Sequence, residues 1–283
     1  MNNKSYLYVD SDADWFIENN NDWIQASRFP DNNGHIIQIQ VENNTIKNDR
    51  NASFSLVSEK NSKIKVDIII KQRSKYYFGE EYTDLGLPSG TMWAVKNLGA
   101  NNISNYGWEF GWGEIEPKEN DGNYDNRFFD KNTRQFSKYV LDEESGRVDS
   151  LEFLDAIDDA ASQLLGGKWR IPTKEEVLEL KEYVIKDKNS VYYKFDSNEE
   201  SIIFPTSAYS SYWTNTLYKT DRAYTLQIVN GISLYYEYRI NRVYIRPVFR
   251  FEKKIIWPTL EEIERVQDGN IKIENYEEDE NWN

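Results

Sequence analysis

Between residues 207 and 245 the sequence gathers side chains of the kind that build recognition surfaces. They are Tyr209, Ser210, Ser211, Tyr212, Asn215, Tyr218, Arg222, Tyr224, Tyr235, Tyr236, Tyr238, Arg239, Asn241, Arg242 and Tyr244. Tyr gives rigid amphipathic contact area at low entropic cost, and the planar Arg fork suits carboxylates. The ligand-binding candidates are Tyr212, Asn215, Tyr218, Arg222, Tyr235, Arg239, Asn241, Arg242 and Tyr244. The same residues also fit plain exposed strand faces, since Tyr is a good strand former, and both readings stand. Alternation along Ile232–Tyr238 predicts Ile232, Leu234, Tyr236 and Tyr238 on the core side and Ser233, Tyr235 and Glu237 on the other. Tyr235 is therefore expected to be exposed. Arg239, Asn241 and Arg242 are expected in the following turn, within reach of a ligand.

Catalytic chemistry has less to stand on. The one histidine, His35, follows the turn residues Asn32-Asn33-Gly34 and reads as a surface or packing residue. No nucleophile elbow, zinc helix or phosphate-cradling glycine motif occurs. Glu114 and Glu116, or Asp158 and Asp159, are pairs in sequence, but a glycosidase pair is defined by separation across a sugar. With 48 acidic residues, solvated carboxylates are the expectation. The loop Asp121-Gly122-Asn123-Tyr124-Asp125 alternates oxygen ligands as calcium loops do, yet an EF-hand needs Gly and Glu where Asn126 and Asn132 stand. The expectation is no enzyme activity, no metal and no cofactor.

The elements that must position these groups fall into two domains. The chain has 283 residues, enough for two ordinary domains or one large one, and 20 Tyr, 13 Phe and 9 Trp argue that most of it folds. A formal charge of -14 repels phosphate backbones and anionic membranes, so nucleic acid is not an expected partner. There is no cysteine, which removes disulfides and thiolate chemistry. No apolar run approaches the ~20 residues of a membrane span. The first residues lack the apolar core of a signal peptide.

Residues 1–72 read as a β-sandwich. Short runs at Trp15-Phe16-Ile17, Trp23-Ile24, 36–41, 52–57 and 64–70 are separated by Asn/Asp/Gly turns, with both Trp in the core. Residues 73–82 read as a linker. Residues 83–251 read as an α+β domain. Within it, a polar loop is expected at 117–135. One helix is expected over 150–165, with Leu151, Leu154, Ile157, Ala161, Leu164 and Leu165 on its apolar face. A second is expected over 173–185, opened by a Thr173/Glu176 capping box. Late antiparallel strands include a type I′ hairpin at Asn230-Gly231. Residues 252–283 form an acidic tail with a short helix over 257–266.

The run Ser11-Asp12-Ala13-Asp14-Trp15, then Trp23-Ile24, Val41, Asn43-Asn44, Arg50-Asn51-Ala52 and Ile68-Ile69-Ile70-Lys71-Gln72 resembles a BACON domain. That resemblance implies an immunoglobulin-like sandwich of gut Bacteroidetes surface proteins and phages, serving as a spacer or glycan-contacting module. A second set of residues resembles the Fibrobacter succinogenes major paralogous domain, a C-type lectin-like fold. The set comprises Asp84-Leu85-Gly86-Leu87-Pro88-Ser89-Gly90, Trp93-Ala94, Asn97-Leu98-Gly99-Ala100, Tyr106-Gly107, Gly111-Trp112-Gly113-Glu114, Gly167-Lys168-Trp169-Arg170-Ile171-Pro172-Thr173, Tyr212-Trp213-Thr214 and Arg246-Pro247-Val248. It implies two helices flanking a curled sheet with loops on one side, and ligand-binding surfaces in the 207–245 segment. The calcium-ligand triplets of C-type lectins are missing, and Tyr212-Trp213-Thr214-Asn215 lacks the acid. Sulfatase-activating enzymes share a related fold but need cysteines.

The reading is therefore a multidomain chain, an immunoglobulin-like sandwich plus a C-type lectin-like domain, acting in non-enzymatic recognition. The expected partner is a cell-surface glycan or protein, with a virion or surface subunit docking through the acidic tail, and self-association is left open. The expected setting is a phage virion or a bacterial cell surface. The alternatives are a structural assembly protein or a secreted glycan-binding protein.

Overall fold

The computed structural model describes residues 4–11, 13–29, 35–118, 125–186, 192–195, 200–205, 210–228, 231–251 and 272–275. The chain divides into two compact units, one of residues 1–75 with 251–283, the other of residues 76–250.

The first unit contains β1 (Lys4–Asp10), β2 (Trp15–Glu18), β3 (Ile24–Arg28), β4 (Ile36–Val41), β5 (Arg50–Ser58) and β6 (Lys65–Gln72). They form two antiparallel sheets, ordered β1-β4-β3 and β2-β5-β6, and a late strand at Lys272–Asn275 pairs with the free edge of β1. Alternate residues from both sheets meet in one core: Leu7, Val9, Trp15, Ile24, Ile37, Ile39, Phe54 and Leu56. Trp15 is buried, whereas Trp23 is only partly buried and covers the edge of that core. The Arg-x-Ala and terminal Gln signatures have a structural use. The Arg50 guanidinium lies 4.2 Å over the Trp23 ring and bonds the Gln72 side chain at 2.8 Å. Arg50 and Gln72 both donate to the Glu42 carbonyl.

The second unit begins earlier than expected. Residues 73–82 do not form a free linker, because β7 (Tyr76–Tyr77) and β8 (Glu80–Thr83) lie within that stretch and join β9 (Thr91–Ala94) and β18 (Val248–Arg250) in one sheet ordered β18-β9-β8-β7. Apolar anchoring explains it: the Tyr77 ring stacks on Phe249 at 4.2 Å, and its carbonyl accepts from Trp169 Nε1 at 2.9 Å. Two short strands, β10 (Phe129–Asp130) and β11 (Gln135–Phe136), pair within the expected polar loop. Further on, β12 (Val184–Lys186), β13 (Tyr192–Phe195) and β14 (Ser201–Ile203) form a small sheet. The principal late sheet is β15 (Ser210–Lys219), β16 (Arg222–Ile228) and β17 (Ile232–Tyr238), in that order.

The expected helix over 150–165 is replaced by a 3-10 turn (Ala156–Asp158) and the short α1 (Ala160–Leu165). Asp159 decides this: its carboxylate accepts from Ser162 N at 2.9 Å as an N-cap and from Ile171 N at 2.8 Å. Of the apolar face expected there, Leu154, Ala161 and Leu165 join the core, while Leu151, Leu164 and Ile157, the last 65% exposed, do not. Helix α2 (Lys174–Tyr183) opens as expected, with Thr173 N to Glu176 Oε2 at 2.9 Å and Glu176 N to Thr173 Oγ1 at 3.2 Å. Helix α2 packs on one end of the β15–β17 sheet. There Val177 and Leu180 meet Trp93, Phe204, Tyr212, Leu226, Ile228 and Ile232. A second core joins Phe110, Trp112, Tyr139, Ile171, Trp213 and Ile245. In the hairpin, Ile228 faces Ile232, leaving three residues in the connection; Asn230 of the expected turn lies outside the described residues. So do the expected helix over 257–266 and most of the acidic tail.

Candidate functional site

Strand register sets the site. Arg222 pairs with Tyr238, Tyr224 with Tyr236, Leu226 with Leu234 and Ile228 with Ile232, so these residues share one face of the sheet. At the Ile228 end that face is the core beneath α2. At the Arg222 end the same face carries Tyr and Arg, exposed or half-buried.

The aromatic rings there form a connected array, which Tyr235, a residue of the opposite face, joins along the edge strand β17. Tyr218 stacks on Tyr236 at 4.5 Å with 9° between planes, and Tyr236 stacks on Tyr235 at 4.8 Å and 7°. Tyr224 meets Tyr218 edge-on at 5.3 Å. Cations border the rings. Arg222 lies 4.4 Å over Tyr238 and 5.3 Å from Tyr236, and it donates to the Tyr238 hydroxyl at 2.6 Å. Lys174, the first residue of α2, reaches Tyr224 at 5.4 Å, and Lys219 reaches Tyr218 at 5.6 Å. Tyr235 is 49% exposed, as its strand position required. Tyr238, expected in the core, is exposed, because α2 covers only the far end of this face.

Three of the nine candidate residues, Tyr218, Arg222 and Tyr235, thus come together. The others do not join them. Tyr212 is fully buried, donating to the Pro205 carbonyl at 2.9 Å and packing against Phe204 and Tyr244. Asn215 is buried, its side chain accepting from Thr216 Oγ1 at 3.0 Å. Arg239 does lie in the turn after β17, but it does not reach outward. It is fully buried, its guanidinium 4.3 Å from the Phe136 ring and 4.9 Å from Trp112. Burial draws its pKa down to about 9. Asn241 and Arg242 are half-buried in the turn after β17, with Asn241 bonded to Glu237 at 2.9 Å. Tyr244 sits 5.2 Å from Tyr106, and burial, with Glu109 beside it, pushes its hydroxyl up to about 12.

Lys174 escaped the sequence reading because its relevance depends on where the α2 N-terminus lands. Trp108 did too. It is 46% exposed, and its Gly-flanked position is the one trace it left in the sequence.

Of the four carboxylates paired in the sequence, Glu114, Asp158 and Asp159 are buried, not solvated, and Glu116 is exposed. Glu114 accepts from Arg127 N at 2.6 Å. Asp158 takes the Tyr139 hydroxyl at 2.5 Å, Lys138 at 2.6 Å and the Arg127 guanidinium. Burial raises the pKa of Asp159. His35 bonds the Val9 carbonyl through Nδ1 at 3.1 Å. Among the described residues no group of three or more His, Asp or Glu side chains is placed to hold a metal, and no helix is long and apolar enough to cross a membrane. Of the candidate calcium loop, only Asp125 is described, and it pairs with Lys118 at 3.0 Å.

Residues 13–73 match the BACON family model, described as "Putative binding domain, N-terminal". Comparison with curated proteins gave no match, and comparison with solved structures gave none.

Proposed function

We propose that this chain is a non-catalytic recognition protein whose second unit, a C-type lectin-like domain, holds a cell-surface glycan on the Tyr218–Tyr236–Tyr235 stack. The observation that carries this reading is the stack itself: parallel rings, partly open to solvent, edged by Arg222, Lys174 and Lys219. Ring faces suit the C–H faces of sugars, and cations on a molecule of charge -14 favour an acidic group on the ligand. The match of residues 13–73 to a binding-domain family supports a surface role for the whole chain. Display on a phage particle, as fibre or decoration protein, or on a bacterial cell is part of the proposal and rests on the family resemblances of the two units.

The test is binding of the full chain to a glycan array and to whole bacterial cells. Tyr218→Ala, Tyr235→Ala and Arg222→Ala are each expected to weaken binding by ~1–3 kcal/mol, the range for interface anchors. Folded variants that bind like the parent would remove this face from consideration and leave an assembly role as the better reading.

A further inference from the structure

A separate open cavity of about 470 Å³ is lined by Gly99, Ala100, Ser104, Asn105, Tyr106, Gly107 and Trp108. The Trp108 indole forms its aromatic wall. Its ring lies directly on the Gly99 backbone: an added Cβ at Gly99 would stand 2.2 Å from Cδ2 of the indole. Gly99 has φ +77° and Gly107 φ +75°, and a Cβ at Gly107 would meet the Leu98 carbonyl at 2.3 Å. Only glycine at both positions permits this arrangement.

The loop is also fastened. Trp108 N donates to the Leu98 carbonyl at 2.9 Å, and Leu98 N to that of Ile245 at 2.9 Å. The Asn97 amide bonds the Tyr106 carbonyl at 2.9 Å, and its oxygen accepts from the buried Arg246 at 2.7 Å. A large aromatic ring is thus held rigidly at the surface with nearly half its area exposed. Ser104 and Asn105 line the same cavity, and both are exposed. A fixed aromatic wall can stack a small ring, and polar groups beside it can orient that ring.

The charge of the cavity selects the ligand. None of the seven lining residues is an Asp, Glu, Lys, Arg or His, and Glu109, which follows Trp108 in the chain, sits against Tyr244. Neither an anion nor a cation gains a partner among these residues. We infer that the cavity over Trp108 is a second binding subsite, taking the pyranose ring of a neutral sugar stacked on the indole, with Ser104 and Asn105 bonding its hydroxyls. This subsite shares no residue with the tyrosine array and goes beyond the recognition role proposed for it.

The test uses the full ¹⁵N-labelled chain. The Trp108 indole N–H resonance is assigned by its loss in Trp108→Phe. Methyl glycosides of glucose, galactose and mannose, and N-acetylglucosamine, are then titrated, with glucuronic acid as the charged comparison. The expected result is a saturable shift of that resonance with at least one neutral sugar and a weaker response to glucuronic acid. Trp108→Ala is expected to weaken that binding by roughly tenfold or more, measured by calorimetry. Asn105→Ala tests the polar contact and should weaken it by a smaller factor. An unmoved resonance with all four neutral sugars, or affinity unchanged in folded Trp108→Ala, overturns the inference. Tyr235→Ala should leave this titration as it is, so loss of cell binding in that variant reports on the tyrosine array alone.

Discussion

The Arg239 guanidinium carbon lies 4.3 Å from the centre of the Phe136 ring, in a shell where its donors meet backbone carbonyls. Nη1 bonds Thr220 O at 2.8 Å and Tyr139 O at 3.1 Å, and Nη2 bonds Lys138 O at 3.1 Å. Among the described residues no carboxylate pairs with it. A buried cation solvated by carbonyls and ring faces ties three loops together through one planar fork. Arg239→Ala is expected to cost about 3–5 kcal/mol in denaturant unfolding, because three carbonyls and an aromatic cavity lose their partner. Arg239→Lys should recover little of this, since an ammonium cannot span the same carbonyls. A fully stable Arg239→Lys variant would refute the account.

Trp169 and Tyr235 are expected to behave oppositely. The Trp169 ring is buried, 4.6 Å from Phe249, and its Nε1 bonds the Tyr77 carbonyl. Trp169→Ala should cost roughly 3–5 kcal/mol by emptying that site. Tyr235→Ala, on the edge strand β17, should stay within about half a kcal/mol of the parent while losing ligand affinity. Thermal melts run beside binding assays check both. A large stability loss in Tyr235→Ala would make the tyrosine stack part of the core.

Acid stability should be governed largely by Glu176. Its burial alone would raise its pKa. Two bonds from Arg170 (2.7 and 2.5 Å), the Thr173 N–H and Arg250 at 2.8 Å outweigh that and hold it below the ordinary value. A depressed folded-state pKa gives stability that is present above the unfolded value, about 4.3, and lost as pH falls through the folded one. Asp149 is lowered too: burial opposes this, but the backbone N–H groups of Val140, Leu151 and Tyr139 prevail. Asp159 has the opposite sign. Its raised pKa gives stability present below the unfolded value and lost as pH rises through the folded one, so it leaves the acid limb alone. Melting temperature should therefore drop below about pH 4, and Glu176→Gln should start lower and flatten that limb. An unchanged limb in Glu176→Gln would assign the acid transition elsewhere.

What the sequence showed and what it hid follow from the range of the forces involved. Strand alternation placed Tyr235 outward, and the capping box at Thr173 and Glu176 lies within one helical turn; both are local and legible. Leu151, Ile157 and Leu164 have helical spacing, but the Asp159 cap interrupts the helix through a bond to Ile171, twelve positions away. Arg239 does lie in a turn, but it looked free to reach a ligand because its partners Lys138, Tyr139 and Thr220 are brought to it only by the fold. The same holds for Lys174 beside Tyr224 and for Trp108 on Gly99, which are juxtapositions of separate segments.

The first unit offers a test of whether its signature residues act as a lock or as a ligand site. Arg50 stacks 4.2 Å over Trp23, bonds Gln72 at 2.8 Å and reaches the Glu42 carbonyl at 2.7 Å, and Gln72 reaches the same carbonyl at 2.8 Å. These contacts join β5, β6, the residue after β4 and the ring that covers the core edge. Their energies are those of a part-exposed cation–π contact and hydrogen bonds, so Arg50→Ala should cost about 1–2 kcal/mol. Trp23→Ala should cost more, because the ring also covers apolar area. Since the two side chains touch, the double variant should be less destabilised than the sum, with a coupling of roughly 0.5–1 kcal/mol. Denaturant unfolding of the four proteins in the cycle measures this directly. Additive losses, with Arg50→Ala instead abolishing ligand binding at unchanged stability, would turn the lock into a binding site.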